Sequence, residues 1–571
     1  MRIIKAVITC FFVFIICSHI DGQQKAAGPD AYGYTIQKKI ICSNGAVVSA
    51  HPLASKAGVD ILKKGGNAVD AAIATQLALA VVYPGAGNIG GGGFMIAALK
   101  EGKTIALDYR EKAPAAANRD MYLNKDGNPE MTLSQNGHLA SGVPGTIAGL
   151  FASHKYAKLP FKTLIEPAIL LAEKGFVITE SEARSLNGTK AAFVKYNTVN
   201  PVFVKANTWK AGDTLIQKDL AKTLKRIRDL GQKGFYEGET AKLIVEEIQR
   251  GKGLITYEDL KNYRAIERTA LVFPYKGYEI VTMPLPSSGG IIINQTMKMI
   301  EEKDIAKMGF QSAASVHLMV EAERRAYADR AKFMGDADFV KVPVKKLTSD
   351  AYIKERMSDY DPQKAGNSQQ IQAGNINPES EETTHLSIID KYGNAVSITT
   401  TLNGGYGSKT VVGGAGFLLN NEMDDFSVKP GVPNMYGAVG AEANAIAPGK
   451  RMLSSMTPTI VLKNNKPYIV LGTPGGTTIP TSVYQTLVNI LEFNLSTEDA
   501  VFKAKFHHQW QPDEVIVEKD FPATVMEELR AMGYKVNVRG SIGRTEVIKV
   551  LPDGKFEAVG DKRGDDTAAG F

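Results

Sequence analysis

Cysteine is close to absent from this chain: three occur in 571 residues, at positions 10, 17 and 42. Two of them sit in an apolar stretch near the N-terminus, so the remainder keeps Cys42 alone and an internal disulfide framework is excluded. Long hydrophobic runs are missing too. The uncharged run Ala6–Ile16 covers 11 residues, against about 20 for a bilayer span. Preceded by Arg2 and Lys5, it reads as a secretory signal peptide over 1–22 with cleavage after Gly22, which predicts export, to the periplasm, and no stable membrane span. No Lys/Arg cluster interleaves with aromatics, which excludes nucleic acid as a partner. No Cys/His set has metal-ligand spacing; His507-His508 beside Trp510 reads as packing, and no metal is expected. No serine stands in a GxSxG context. Gly85–Gly90 spells GxGxxG, but a buried helix precedes it and the strand Phe94–Leu99 follows. That is the reverse of a dinucleotide-binding unit.

What the chain does have is glycine, 55 residues or nearly a tenth, above the usual ~7%. It also has 44% hydrophobic and 22% charged residues, enough for a large core. The formal net charge is +7. Residues 383–571 hold 18 Lys+Arg and 20 Asp+Glu, a net −2, which leaves +9 on residues 1–382. Residues 55–82 show helical spacing broken at Gly65-Gly66-Asn67, and Asp70–Val82 is apolar almost all round, as in a buried helix. Mixed-charge helices are expected around 161–175 and 214–251, with strands at Phe94–Leu99, Thr104–Asp108 and Tyr278–Thr282. Helices and strands alternate without repeats, which predicts a large mixed α/β unit. Residues 360–382 carry almost nothing to bury and read as a flexible, solvated linker.

That polar stretch stops at Thr383, where a hairpin pattern begins. Thr384–Ile389 and Ala395–Leu402 are rich in β-branched residues and flank Asp390-Lys-Tyr-Gly-Asn394. A three-residue loop with Gly393 in the left-handed conformation sets Thr383 opposite Thr401; a four-residue loop would set it opposite Leu402. Facing threonines are common strand filler. They also suit a nucleophile, because a threonine hydroxyl needs an adjacent base and a free α-amine on the same residue can serve. Its pKa of about 7.7–8.0 leaves a useful fraction neutral near pH 7. Cutting Glu382–Thr383 would create such an amine.

Thr383–Asn403 resembles the start of the small subunit of γ-glutamyltranspeptidases. So do Leu418–Phe426, Lys429–Tyr436, Leu453–Pro458 and Gly472–Gly476 for later parts, and Gly87–Met95, Leu107–Arg110 and Ser141–Gly145 for the large subunit. The resemblance spans essentially the whole chain after the leader, in order. It implies the N-terminal-nucleophile hydrolase superfamily and an α/β (α+β) four-layer αββα sandwich. That sandwich would be one co-folded unit autocatalytically cleaved into a heterodimer of residues 23–382 and 383–571. The implied activity is γ-glutamyl hydrolysis and transfer, from donors such as glutathione to water, amino acids or peptides, without cofactor. A glutaryl-type or cephalosporin acylase of the same fold, or a non-catalytic exported γ-glutamyl-peptide binding protein, are the competing readings.

Residue roles follow from the resemblance. Thr383 is the nucleophile and Thr401 orients it; Gly475 and Gly476 supply oxyanion-hole N–H groups. Arg110 takes the α-carboxylate with Ser454 and Ser455, while Asp425 and Glu422 take the α-ammonium and Asn403 bridges both ends. Position 422 is Gln in some relatives. Tyr436 is the tip of a lid loop over 426–440. Read without the resemblance, Pro474-Gly475-Gly476 is equally a plain turn, Arg110 a surface salt bridge near Glu111, and 421–425 a solvated acidic loop.

Overall fold

The computed structural model describes residues 33–371, 383–432, 435 and 440–571. The expected leader over 1–22, Glu382 and Tyr436 lie outside these described residues. At 383–402 the hairpin forms with the three-residue loop. Thr384 pairs with Thr400 and Ile389 with Ala395, the register in which position 383 falls opposite 401. Gly393 takes a φ of +92° there, a conformation only glycine adopts cheaply.

Within the two large sheets the strands before the hairpin are β1 Lys39–Cys42, β2 Gly45–Ser49, β3 Gly92–Ala98, β4 Thr104–Asp108, β5 Ile266–Arg268, β6 Leu271–Tyr275 and β7 Tyr278–Thr282. The hairpin supplies β8 Thr384–Asp390 and β9 Ala395–Thr401. Then come β10 Thr459–Lys463, β11 Lys466–Gly472, β12 Glu546–Val550, β13 Phe556–Val559 and β14 Thr567–Gly570. They form two seven-stranded sheets, ordered β14-β2-β8-β9-β3-β4-β5 and β1-β13-β12-β11-β10-β7-β6. The helices that cover them include α1 Pro52–Lys63, α2 Ala68–Val82, α3 Phe161–Lys174, α4 Lys218–Leu230, α5 Gly289–Ile300, α6 Ala313–Phe333 and α7 Thr478–Leu491.

Side chains alternate across each strand, and the alternation builds the layers. Leu386 and Ile388 of β8 join Ile61 and Leu77 of α1 and α2 in one apolar cluster. Ile389, facing the other way, packs between the sheets with Val470 and Ile548. On the far side Ile469 and Leu471 of β11 meet Met297, Leu318 and Leu487 of α5, α6 and α7. Helix, sheet, sheet, helix is the four-layer order expected. Strands buried on both faces lose the clean polar alternation of half-exposed ones, which is why these read as β-branched runs.

The buried helix is α2, every residue of which is buried, with Asn67 capping its start by accepting from Val69 N and Asp70 N. α3 buries one face only. Among the described residues no helix is long and apolar enough to cross a membrane. His507 bonds Thr481 at 2.9 Å and Gln509 at 2.8 Å, and His508 reaches Asp513, a packed arrangement that uses both rings.

Of the linker expected over 360–382, residues 372–382 lie outside the described residues; in 360–371 seven positions are exposed, while Ser368 and Ile371 are buried. Gly366 N donates to Glu321 at 3.0 Å and Ser368 N to Asp513 at 2.8 Å, while the Trp510 indole donates to the Ile371 carbonyl at 2.7 Å. A polar segment stays docked because side chains fixed elsewhere satisfy its backbone.

Candidate active site

The hairpin register delivers Thr383 to the head of β8, between β2 and β9, where it is 7% exposed. Thr401 closes β9 and pairs with Gly92 of β3. Its hydroxyl oxygen accepts the Asn403 N–H at 2.8 Å. Asn403 has a φ of +75°, which Asn tolerates better than most residues, and its side-chain amide donates to the Asn421 carbonyl at 3.0 Å. Thus the end of the hairpin and the 421–425 segment are tied together.

Arg110 follows β4 by two residues and is 1% exposed, so the surface-salt-bridge reading fails. Its backbone N–H donates to Asp108 at 2.9 Å, and its guanidinium donates to Glu422 from Nη1 and to Asp425 from Nη2. Glu111 lies 3.8 Å from the same guanidinium. The 421–425 stretch is not a solvated loop either: Glu422–Asp425 forms one 3-10 turn, with Glu422 1% exposed. Ser454 and Ser455 sit on a segment bridged to Pro286–Ser288; Ser454 N donates to the Pro286 carbonyl and the Ser288 hydroxyl to the Ser454 carbonyl.

Three buried carboxyls therefore surround one guanidinium. Burial drives the Glu111 carboxyl up to about 7 and that of Glu422 well above the usual range, against the pull of Arg110. Asp425 is raised by burial as well, held back by Arg110 and then Arg330. Among the described residues neither Glu111 carboxyl oxygen has a hydrogen-bond partner, and burial raises both it and the neighbouring Glu422. Two guanidiniums, of Arg110 and Arg330, and the carboxyls of Glu422 and Asp425 line the site, which therefore offers both charge signs to a ligand.

Gly475 and Gly476 link β11 to α7 with φ of +137° and +54°, so the Pro-Gly-Gly run is a turn, and one with a direction. Their carbonyls accept Thr478 N at 2.9 Å and Ile479 N at 3.2 Å, which aligns both peptide units with the positive end of α7.

Thr383, Thr401, Arg110, Asn403, Glu422, Asp425, Ser454, Ser455 and Gly476 line one cavity of about 30 Å³. Gly475 lines a second cavity of about 180 Å³ that also touches Thr383, together with Tyr83, Pro474, Ser541, Gly543 and Arg544. The sequence reading missed Arg330, Met456, Thr477 and Ile479 in the first cavity. Arg330 had no visible signal, since α6 carries charge all round and its burial is a tertiary fact. Among the described residues no group of three or more His, Cys, Asp or Glu could hold a metal ion.

Comparison with known proteins gives the family and the fold. The profile of the family described as Gamma-glutamyltranspeptidase matches residues 54–571. The chain is 47% identical to the glutathione hydrolase proenzyme of Escherichia coli K12 over 95% of each chain. Among solved structures it resembles the γ-glutamyltranspeptidase of Helicobacter pylori at 46% identity, covering 57% of this chain and 94% of that one, with a TM-score of 0.56. It also resembles the cephalosporin acylase of Bacillus halodurans at 27% identity, covering 95% and 99%, with a TM-score of 0.81.

Proposed function

The chain belongs to the γ-glutamyltranspeptidase family, and on that premise we propose that it is an exported, self-cleaving γ-glutamyl hydrolase and transferase whose nucleophile is Thr383. In maturation the Thr383 hydroxyl attacks the Glu382 carbonyl, the peptide shifts to an ester, and water hydrolyses it. The products are residues 23–382 and 383–571, held together as a heterodimer, with a new α-amine on Thr383.

In turnover that amine takes the hydroxyl proton as the oxygen attacks the γ-carbonyl of a donor such as glutathione. Negative charge develops on the carbonyl oxygen and is met by the Gly475 and Gly476 N–H groups at the head of α7. Collapse expels the amine, which leaves with the proton from the Thr383 ammonium, and a γ-glutamyl ester remains. Water, or the amine of an amino acid or peptide, then attacks the ester with the α-amine again as base. Thr401 holds the nucleophile's rotamer. Arg110, Ser454 and Ser455 answer the donor's α-carboxylate, Asp425 and Glu422 its α-ammonium, Asn403 spans the two, and Tyr436 tips the lid. The basic start and 11-residue apolar run support export to the periplasm.

The observation that carries this reading is the pairing of Thr383 with a small buried cavity of both charge signs. Mass spectrometry of the purified protein should find two polypeptides, one beginning at Thr383, and Thr383→Ala should stay whole and fail to release p-nitroaniline from γ-glutamyl-p-nitroanilide. Appreciable turnover by that variant would remove Thr383 as nucleophile, and an uncut, ligand-binding wild type would favour a binding protein. The acylase reading draws on the Bacillus halodurans structure; glutaryl amides turned over faster than γ-glutamyl amides would favour it. Two acids beside Arg110 favour a substrate with an ammonium.

A further inference from the structure

The turn that carries Gly475 and Gly476 runs straight into Thr477, a buried residue that lines the cavity of Thr383. Its hydroxyl donates to Gln509 Oε1 at 2.7 Å. Its carbonyl accepts the hydroxyl of Tyr327, which lies on α6. The residue that ends the glycine turn is thus gripped at side chain and backbone by two segments, one from each side of Thr383 in the sequence.

The protons of this grip follow from its donors and acceptors. Gln509 Nε2 donates to the Gln511 carbonyl at 3.2 Å, which leaves Oε1 to face Thr477. Oε1 only accepts, so its 2.8 Å contact with His507 Nε2 puts the proton on that nitrogen. His507 Nδ1 then accepts the Thr481 hydroxyl at 2.9 Å. Burial pushes the His507 imidazole down to about 3, so the ring stays neutral in this tautomer. Tyr327 meets the same ring edge-on, with 5.7 Å between centroids. The glutamine that holds Thr477 is therefore locked by an imidazole, and the imidazole is locked to α7 through Thr481.

A backbone N–H stabilises an oxyanion well only when its peptide plane is fixed beforehand. The Gly476 N–H shares its plane with the Gly475 carbonyl, which accepts Thr478 N at 2.9 Å and the Thr478 hydroxyl at 2.8 Å. Both glycines sit at positive φ and have no side chain to anchor, so the turn takes its orientation from its flanks. We infer that Gln509, locked by His507, is a positioning residue for this turn and sets the direction of its oxyanion-binding N–H groups through the Thr477 hydroxyl. That role rests on the γ-glutamyl reading and gives the buried 507–509 segment a part in the reaction.

The test breaks one bond from both ends. Gln509→Leu, Thr477→Val and the double variant are compared with the processed wild type on γ-glutamyl-p-nitroanilide, with L-glutamate as a competing product. Oxyanion contacts exist only in the transition state, so each single variant should lose about 10- to 100-fold in kcat and kcat/KM alike. The L-glutamate inhibition constant, a ground-state property, should stay within about threefold of wild type. The double variant should fall no more than about threefold below the worse single one, because both ends of one contact are already lost. Thr477→Ser, which keeps the hydroxyl, should restore activity. An inhibition constant that rises as far as kcat falls would mean a collapsed cavity, and multiplied losses in the double variant would mean two unrelated defects. Either overturns the role, as does full activity of Gln509→Leu. If Gln509→Leu does not self-cleave, the pair at 477 decides. Thr477→Ser cleaved and active beside an impaired Thr477→Val supports the hydroxyl contact, and equal behaviour of the two overturns it. An active wild type whose variants are unaffected defeats this role alone; a wild type inactive on every γ-glutamyl compound sinks the underlying reading instead.

Discussion

Two cavities meet at Thr383 and differ in almost everything. One, of about 30 Å³, is walled by two guanidiniums, two acids and two serines, with Glu111 behind Arg110. The other, of about 180 Å³, has the exposed Ser541 on its rim and Arg544 on its wall, the latter already engaged by Asp566 at 2.9 Å and Tyr83 at 2.6 Å. Charges in the narrow space are dry and strongly coupled, so each group there is tuned to one ligand shape. In the wide space water competes and geometry is loose. An acyl-transfer enzyme built this way is selective for the acyl half and permissive for the amine half.

Removing the central cation should hurt most. Arg110→Gln leaves Glu422 and Asp425 buried without their partner, a loss of about 3–5 kcal/mol by analogy with broken buried pairs. We expect kcat/KM to fall by roughly 10²–10³-fold, equally for glutathione and γ-glutamyl-p-nitroanilide, which differ only in the leaving amine. A fall that depends on the amine would mean that the two cavities are not separate in role.

A smaller effect comes from pH. Burial raises both Glu111, to about 7, and Glu422, so as the pH rises through that value Glu111 gains a negative charge beside the carboxylate site. Inhibition by L-glutamate should therefore weaken with rising pH, roughly tenfold between pH 6 and 8.5. Glu111→Gln, which cannot gain that charge, should flatten the profile; an unchanged profile would place the titration elsewhere. Smallest of all is Ser541→Ala in the wide cavity. Its inhibition constant for L-glutamate should stay within about threefold of wild type, with any change confined to the half-saturation of the amine acceptor, as expected of a solvated polar group.

Local chemistry was the part of this molecule legible from its residues. The loop Lys391-Tyr392-Gly393 specified its own register because a left-handed glycine third in the loop is a short-range requirement. α2 was legible because only Asp70, Thr75 and Gln76 interrupt an otherwise apolar helix. Sheet order was not, since β8 pairs with β2 across more than three hundred residues and no local pattern encodes that partner. The docking of 360–371 depends on Glu321, Asp513 and Trp510, and Arg330 on the fold of α6. The positions of Arg110, Asn403, Glu422 and the serines were reached through family resemblance, and spacing alone had left salt bridge, loop and turn open for them.

Strand order also fixes what can happen to this protein in time. In the sheet that holds Thr383, β14, β8 and β9 come from after that residue and β2, β3, β4 and β5 from before it. In the other, four later strands lie between β1 and the β7–β6 pair. After a cut at Glu382–Thr383 the two polypeptides are interlocked like clasped fingers, and neither owns a whole sheet. One continuous chain can place all these strands before the cut, so the cut pair is expected to regain its fold after heating less readily than the uncut Thr383→Ala chain.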